Sequence, residues 1–267
     1  MENHHEKRSD LRRLLTEMRR VSVAVSGGVD SLTLAAAAHE ALGSESHLYH
    51  AVSPAVPSEA TGRTQALAAD RGWDLRIINA GEFDDPHYMA NPSNRCFFCK
   101  SNLYSAIAAL TDRTIISGAN ADDLSDYRPG LEAARHHGVR HPFIEAGMGK
   151  EDIRTLARDF GLDGVSELPA SPCLSSRLET GIAIDPRVLE LVHTAERALA
   201  STITARHLRC RVRHAGIVVE VDAPTLSSLD ARARTSALGT VAEIFASGGH
   251  ARPVFIAPYR MGSAFIR

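Results

Sequence analysis

Short clusters of β-branched and aliphatic residues recur through the first 120 positions, at 21–26 (VSVAVS), 47–53 (HLYHAVS), 75–80 (LRIINA) and 114–120 (TIISGAN). Between them lie longer segments with helical spacing of apolar positions: SLTLAAAAHEALG from Ser31, SEATGRTQALAADRGW from Ser58 and SNLYSAIAALT from Ser101. Strands alternating with helices of this length predict βαβ units and a parallel sheet. A further helix, KEDIRTLARDFG (150–161), closes this half, with Gly161 placed as its C-cap.

The pattern then changes. ELPASPCLSSRLETGIAIDP (167–186) carries three prolines and reads as an extended, functional linker. After it come a helix, PRVLELVHTAERALA, a hairpin, LRCRVRHAGIVVEVD, a helix around 224–247 and a last strand, PVFIAP. A two-residue turn at Ala215-Gly216 pairs Arg211 with Glu220 and Arg209 with Asp222, and puts Cys210, Val212, Val219 and Val221 on an apolar face. The expected architecture is an α/β parallel-sheet domain over 1–165 and a smaller α+β domain over 166–267.

Composition narrows the function classes. Thirty basic and 32 acidic residues give 267 residues a formal charge of −2, and aromatics make up 5%. A dedicated nucleic-acid binder needs a basic excess and stacking aromatics, so no nucleic-acid partner is expected. The start, MENHHEKRSDLRRLL, has no apolar core of signal-peptide length, and no run approaches the ~18 apolar residues of a membrane span. The expectation is a soluble cytoplasmic protein without a membrane partner. Its four cysteines, Cys96, Cys99, Cys173 and Cys210, then argue for metal or redox chemistry in the Cys-x-x-Cys pair rather than for disulfides.

The strand-to-helix junction SGGVDS (26–31) carries the most specific chemistry. Gly27 and Gly28 let main-chain N–H groups approach a ligand, and the helix beginning near Ser31 adds its dipole, which makes the turn an anion site. The Gly-Lys-Ser/Thr ending of the triphosphate loop is absent. A plain glycine-rich turn capped by Ser31 is the alternative. Six matching positions directly after a strand resemble the PP-loop of ATP pyrophosphatases. That resemblance implies ATP as cosubstrate, with Ser26, Gly27, Gly28 and Ser31 around the pyrophosphate and Asp30 near Mg²⁺. Enzymes of this superfamily adenylate a carbonyl or carboxylate and release pyrophosphate; the nucleophile distinguishes them.

Further segments address the nucleophile: NPSNRCFFCK (91–100), PASPCLSSR (169–177), GANADDLSDYRPG (118–130), RVR (211–213) and YRMGS (259–263). Together with the loop they resemble the LarE family of ATP-dependent sulfur transferases, from about residue 8 onward. The resemblance implies maturation of the nickel-pincer nucleotide, the cofactor of lactate racemase. A carboxylate of pyridinium-3,5-dicarboxylate mononucleotide would be adenylated and its oxygen replaced by sulfur. In the family's single-cysteine form, the cysteine matching Cys173 gives up its own sulfur and is left as dehydroalanine. This chain also has Cys96 and Cys99 and resembles the subgroup in which three cysteines hold a 4Fe–4S cluster. Three thiolates leave one iron open, where an extra sulfide can bind. Three readings stay open: a cluster on Cys96, Cys99 and Cys173; a sacrificed Cys173; and zinc, with His87 near in sequence, or buried structural thiols.

For the substrate end, the resemblance has Arg211 and Arg213 grip the mononucleotide phosphate, with Ser176 and Arg177 as further donors. The alternative is a half-buried hairpin with cross-strand ion pairs of about 0.2–1 kcal/mol each. Glu196, on the core-facing register of Leu189 and Val192, is expected to have a raised pKa and to serve as an acid or base, and the resemblance implies that it is the family's catalytic glutamate; a partly exposed surface glutamate is the competing view. Asn120, Asp122, Asp123, Asp126 and Arg128 follow a predicted strand, where open α/β sheets bind ligands, and Asp123, Asp126 and Arg128 are expected to order the ATP site or metal. Turn chemistry and capping account for part of that cluster. Ser53, at the end of the second strand, is expected at the adenosine. The family resemblance implies a homo-oligomer, with a hexamer among the expected forms. A tRNA thiolase would need a basic face, which the net charge opposes. A non-catalytic nucleotide sensor is the rival of another class, and an amide-forming synthetase has no use for three placed cysteines.

Overall fold

The protein was analysed as a computed structural model that describes residues 2–125, 128–170 and 172–265. In chain order the elements are α1 (Glu2–Met18), β1 (Val21–Ala24), α2 (Val29–Leu42), β2 (Ser46–Ala51), α3 (Ser58–Arg71), β3 (Asp74–Ile78), α4 (Pro86–Met89), α5 (Arg95–Ala108), β4 (Thr114–Ser117), α6 (Pro129–His136), α7 (Pro142–Glu145), α8 (Lys150–Asp159) and α9 (Asp163–Ser166). There follow α10 (Pro186–Ala200), β5 (Leu208–Arg213), β6 (Gly216–Val221), α11 (Ala223–Ser228), α12 (Ala231–Ser247) and β7 (Val254–Pro258). They form two compact units, one of Met1–Asp85 and Asn94–Ser171, the other of Pro86–Ser93 and Pro172–Arg267. No helix among the described residues is long and apolar enough to cross a membrane.

The first unit holds a four-stranded, all-parallel sheet in the order β3-β2-β1-β4. Side chains alternate across it: Val21, Val23, Leu48 and Ile116 pack with Leu32, Leu34 and Leu156 on one face, whereas Ala24, Tyr49 and Ile115 pack with Tyr104 and Ile107 on the other. The centre of the sheet is packed on both faces, whereas toward the β3 edge the second face carries His47, Asp74 and Arg76, which pair with one another. The alanines of α2 have a packing reason: Ala35 to Ala38 are all buried, and small side chains let the helix lie close to its neighbours. The chain steps from β1 through β2 to β3, then returns to the opposite side of β1 for β4. That reversal puts a topological switch point at the carboxyl ends of β1 and β4, where open α/β sheets bind ligands. Gly161, at φ +65°, closes α8 as expected, with Gly161 N–H donating to Arg158 O and Leu162 N–H to Ala157 O, both at 2.8 Å.

The second unit pairs β5 with β6 antiparallel and β6 with β7 parallel. The hairpin register differs from the expected one. Arg211 lies opposite Val218 and Arg209 opposite Glu220, with Arg213 opposite Gly216, so the turn is His214-Ala215. Gly216 is the first strand residue because β7 crowds it: a Cβ there would lie 2.4 Å from Pro253 O, at φ +147°. A slip of two residues keeps every side chain on its face, so Arg211 and Glu220 still meet diagonally.

Three other elements depart from the sequence reading. The segment 167–186 is not an extended linker: Leu174–Arg177 forms a 3-10 turn, and Leu174 through Leu178 are buried. It joins β5 through Glu179 N–H to Val212 O at 2.9 Å, and it joins Pro86–Ser93 through Asn91, whose Nδ2 donates to Glu179 O at 2.9 Å and Ile182 O at 2.8 Å. The helix expected over 224–247 is two, because Asp230 accepts from Ala233 N at 2.7 Å and caps α12. The third is α5, which starts at Arg95 rather than near 101, so Cys96 and Cys99 lie in its first turns. The charged N-terminus forms α1, which buries Leu11 and Leu15 on one face.

Candidate functional site

The strand β1 delivers the chain into the glycine turn with no slack. Val25 N–H donates to Tyr49 O at 2.9 Å, and Gly27 then adopts φ +81°, where a Cβ would sit 2.7 Å from Ala60 O. Only glycine fits that backbone and that contact. Gly28 is the residue before α2, and the N–H groups of Gly27 and Gly28 make no hydrogen bond among the described residues. The serines brace the loop from within: Ser26 N–H donates to Ser31 Oγ at 3.1 Å, Ser26 Oγ lies 3.2 Å from it, and Ser31 Oγ donates to Gly28 O at 3.1 Å. Ser31 thus holds the turn together without capping the helix in the usual way. Across the switch point, a Cβ on Gly118 would lie 2.9 Å from Asp30 C and Ser31 N, so the end of β4 packs directly on the first turn of α2.

Asp30 is the distinctive side chain here. Its Oδ2 accepts from Lys150 Nζ at 2.5 Å, and its Oδ1 is buried without a hydrogen-bond partner. Burial pushes the Asp30 carboxyl above its ordinary range, and Lys150 pulls against that. A hard divalent cation such as Mg²⁺ fits such an oxygen, because it satisfies the orphaned lone pairs and offsets the desolvated charge. Unbonded N–H groups at the same helix start fit the oxygens of a phosphate chain. Sequence reading missed Lys150: it lies 120 residues from Asp30, and its only local signal is its place at the start of α8.

The acidic segment after β4 divides its labour. Asp122 Oδ2 accepts from Lys150 N–H at 2.8 Å, which caps α8 and fixes where Lys150 begins. Asp123 Oδ2 accepts from Asn120 N–H at 3.1 Å, and its Oδ1 pairs with Arg128 at 2.9 Å. Asp126 lies outside the described residues. Ser53 follows the end of β2 and opens a turn, with Val56 N–H donating to Ser53 O at 2.9 Å. These residues surround the carboxyl ends of β1, β2 and β4, which is where the sequence reading put them.

Cys96 and Cys99 are three apart on α5 and therefore share a helix face; both are partly exposed. Phe97 between them packs edge-on against Phe98 and His136, with ring centroids 5.5 Å apart in each case. Among the described residues of this unit, no third Cys, His, Asp or Glu completes a metal site with them. Two thiolates on one face suit a soft metal or cluster but do not make a complete site. Cys173, also partly exposed, belongs to the second unit. Cys210 is fully buried, and burial pushes its thiol far above the ordinary range, so it stays protonated and unreactive.

In the second unit the segment around Cys173 is moulded on arginines. Arg177, 2% exposed, donates to Pro172 O and to Cys173 O (3.0 Å), while Arg211 donates to Ser176 O at 3.0 Å. Ser176 Oγ donates to Cys173 O at 2.7 Å. Each guanidinium is in turn held by a carboxylate. Glu196 accepts from Arg177 Nε at 3.0 Å and Nη2 at 2.9 Å, and its Oε1 also accepts from Cys210 N–H at 2.9 Å. Glu220, 2% exposed, takes Arg211 Nε at 2.7 Å, Arg213 Nη2 at 2.6 Å and Ser263 Oγ at 2.8 Å. Burial alone would raise the Glu220 carboxyl; the two arginines and Ser263 outweigh it and hold the group below its ordinary value. The expected phosphate donors Ser176, Arg177, Arg211 and Arg213 are therefore gathered in one unit, and the first three already shape the Cys173 segment. Glu196 is the lock on Arg177. Sequence reading missed the link from Ser263 to Glu220, because the contact spans 43 residues and depends on where the C-terminal segment returns.

No family model matches the chain. It is 39% identical over 194 residues, 71% of this chain and 72% of the relative, to an uncharacterized protein, slr1717, of Synechocystis sp.. It is 29% identical over 200 residues, 73% of this chain and 72% of the relative, to the pyridinium-3,5-bisthiocarboxylic acid mononucleotide synthase of Lactiplantibacillus plantarum. A third relative, the uncharacterized protein MJ0830 of Methanocaldococcus jannaschii, is 24% identical over 189 residues, 69% of this chain and 71% of its own length. A parallel sheet closed by a glycine turn, a smaller mixed-sheet unit and these relatives agree: the chain belongs to the LarE family, that of the pyridinium-3,5-bisthiocarboxylic acid mononucleotide synthase.

Proposed function

We propose that this protein inserts sulfur into a pyridinium-3,5-dicarboxylate mononucleotide at the expense of ATP, in the assembly of the nickel-pincer nucleotide. The observation that carries this is the glycine turn before α2, where among the described residues the Gly27 and Gly28 N–H groups and Asp30 Oδ1 have no hydrogen-bond partner, in a relative of the synthase. A carboxylate oxygen of the substrate attacks the α-phosphorus of ATP, and pyrophosphate leaves. The resulting acyl adenylate is attacked at its carbonyl carbon by a sulfur nucleophile, and AMP departs with the original oxygen. A thiocarboxylate remains.

In this reading Ser26, Gly27, Gly28 and Ser31 hold the departing pyrophosphate, and preorganised N–H donors stabilise the charge it gains. Asp30 carries Mg²⁺, which neutralises phosphate charge when bound. Lys150, which holds the Asp30 carboxylate, would also supply a positive charge to the phosphates. Ser53 contacts the adenosine and Asp123 orders the site through Asn120 and Arg128. In the second unit Ser176, Arg177, Arg211 and Arg213 bind the substrate phosphate, Glu196 keeps Arg177 aimed, and Cys173 stands where sulfur is delivered.

For the sulfur source, Cys96, Cys99 and Cys173 are the thiols that would hold a 4Fe–4S cluster, which would supply an exchangeable sulfide as the nucleophile. A second reading, sacrifice of the Cys173 sulfur, is favoured by one observation: among the described residues no group of three or more Cys, His, Asp or Glu side chains forms a metal site. Two measurements decide. Release of AMP and pyrophosphate with the mononucleotide substrate tests adenylation, and no turnover would leave a nucleotide sensor. Anaerobic purification with iron and sulfide analysis of wild type, Cys96→Ala, Cys99→Ala and Cys173→Ala tests the cluster; each substitution is expected to strip it. Iron-free, colourless protein that loses the mass of one H₂S per turnover returns the sacrificial route.

A further inference from the structure

The helix α3 has no place in the chemistry above, yet it touches the glycine turn at several points. Its first turns pack on Gly27 so closely that Ala60 O, Ala60 Cβ and Thr64 Oγ1 would lie 2.7, 3.0 and 3.0 Å from a Cβ at that position. From β2, His50 bridges the same two parts: its Nδ1 lies 2.8 Å from Val25 O and its Nε2 lies 2.9 Å from Thr61 Oγ1. A carbonyl oxygen only accepts, so Nδ1 carries the proton and Nε2 accepts from Thr61. Finally Arg63 Nη1 donates to Gly27 O at 2.6 Å. Among the described residues Arg63 has no carboxylate within ion-pair distance and makes no other hydrogen bond.

The contact from Arg63 has a directional consequence. The Gly27–Gly28 peptide is trans, as no cis bond occurs among the described residues, so its C=O and N–H point in opposite directions. The plane turns about ψ of Gly27 and φ of Gly28, and with a glycine on each side no Cβ restricts that rotation. Anchoring the carbonyl to α3 turns the Gly28 N–H away from α3. The switch point lies on that other, β4 side of β1. A guanidinium with no carboxylate within ion-pair distance among the described residues restrains the peptide and brings positive charge beside the turn.

We propose that Arg63 is a positioning residue for the phosphate-binding turn: it fixes the Gly27–Gly28 peptide so that the Gly28 N–H is presented to the pyrophosphate portion of ATP. This rests on the assignment of the turn to ATP. The test uses the full-length protein, with inorganic pyrophosphate, Mg·ATP and adenosine as calorimetric probes, on wild type, Arg63→Ala and Arg63→Gln. Glutamine keeps an N–H donor for Gly27 O without the charge. Expected is a loss of at least about tenfold in pyrophosphate and ATP affinity for Arg63→Ala, an unchanged adenosine affinity, and recovery to within about threefold of wild type for Arg63→Gln. In ¹⁵N-resolved spectra, the Gly28 amide is expected to shift on adding pyrophosphate in wild type and Arg63→Gln but not in Arg63→Ala. Wild-type affinity in Arg63→Ala overturns the proposal, as does an equal loss of adenosine binding, which would mark collapse of the fold. Glutamine as weak as alanine also overturns it, since charge alone would then explain the effect. A wild type that binds neither ATP nor pyrophosphate removes the ATP assignment itself, which separates the two failures.

Discussion

The glycine turn of the first unit and the arginine cluster of the second handle charge in opposite ways. At the turn, donors and acceptors are left over among the described residues: two glycine N–H groups are unbonded, one Asp30 oxygen is orphaned, and Arg63 has no carboxylate within ion-pair distance. In the cluster, carboxylates answer guanidinium groups, Arg177 with Glu196 and Arg211 and Arg213 with Glu220, and among the described residues a single guanidinium nitrogen of these three arginines, Arg213 Nε, is buried without a partner. Unspent groups cost stability in the absence of a ligand and gain it on binding, whereas a network of mutually paired charges keeps its geometry with or without one. The first arrangement suits a cosubstrate that enters and leaves every turnover. The second suits a scaffold that shapes the Cys173 segment and keeps donors aimed.

That contrast can be broken by substitution, and the largest effect belongs to the paired network. Glu220→Ala strands the buried Arg211 charge and should cost about 3–5 kcal/mol of unfolding free energy, read by denaturant titration. The same carboxylate sets an acid limb. Its pKa is held below the ordinary 4.5, so its contribution is present above that value and is lost as pH falls through the lower, native one. Glu220→Gln should flatten this limb; an unchanged acid transition would show that Glu220 does not carry it.

Gly27→Ala comes next. Forcing a side chain to φ +81° against Ala60 O should cost about 1–2 kcal/mol or more and remove measurable ATP binding; crystallographic or calorimetric detection of normal binding would refute the turn's role. Gly28→Ala is the informative partner, because its Cβ would meet nothing closer than Ser26 Oγ at 3.7 Å. Its stability should stay within about 0.5 kcal/mol of wild type while ATP affinity falls, separating ligand approach from folding.

Asp30→Asn should leave stability smallest in its change, and in the favourable direction. Burial raises the Asp30 carboxyl, so ionising it at neutral pH works against the folded state: stability is higher below the ordinary carboxylate range and declines as pH rises through the raised native value. Asparagine escapes this, and the melting temperature should hold or rise while the Mg²⁺ dependence of ATP binding disappears. A marked drop in melting temperature would mean that the Lys150 pair, not a cation, is the purpose of Asp30.

Much of the first site was legible before any coordinates. A strand, two glycines, an aspartate and an alanine-rich helix are contiguous, and the constraint on each is local: backbone freedom at Gly27, a helix start at Gly28, small side chains in α2. The second site was legible only as a set of residues. Its face alternation was foreseen from the period of two, but its register was not, because Gly216 resembles a turn residue until β7 crowds it. Likewise α5 reaches back to Arg95 and takes in Cys96 and Cys99, which a proline- and asparagine-rich approach had disguised as loop.

What the sequence determined alone is therefore whatever its neighbours along the chain enforce: the alternation of strands and helices in the first half, the glycine turn, the core face of the elements it announced. Tertiary structure decided which distant groups became partners. Lys150 meets Asp30, Ser263 meets Glu220, Arg63 meets Gly27, and Asn91 stitches Pro86–Ser93 to the Cys173 segment. Such pairings depend on the path of the folded backbone, and long polar side chains carry no periodic signal to announce which of many possible partners burial will bring within hydrogen-bond reach.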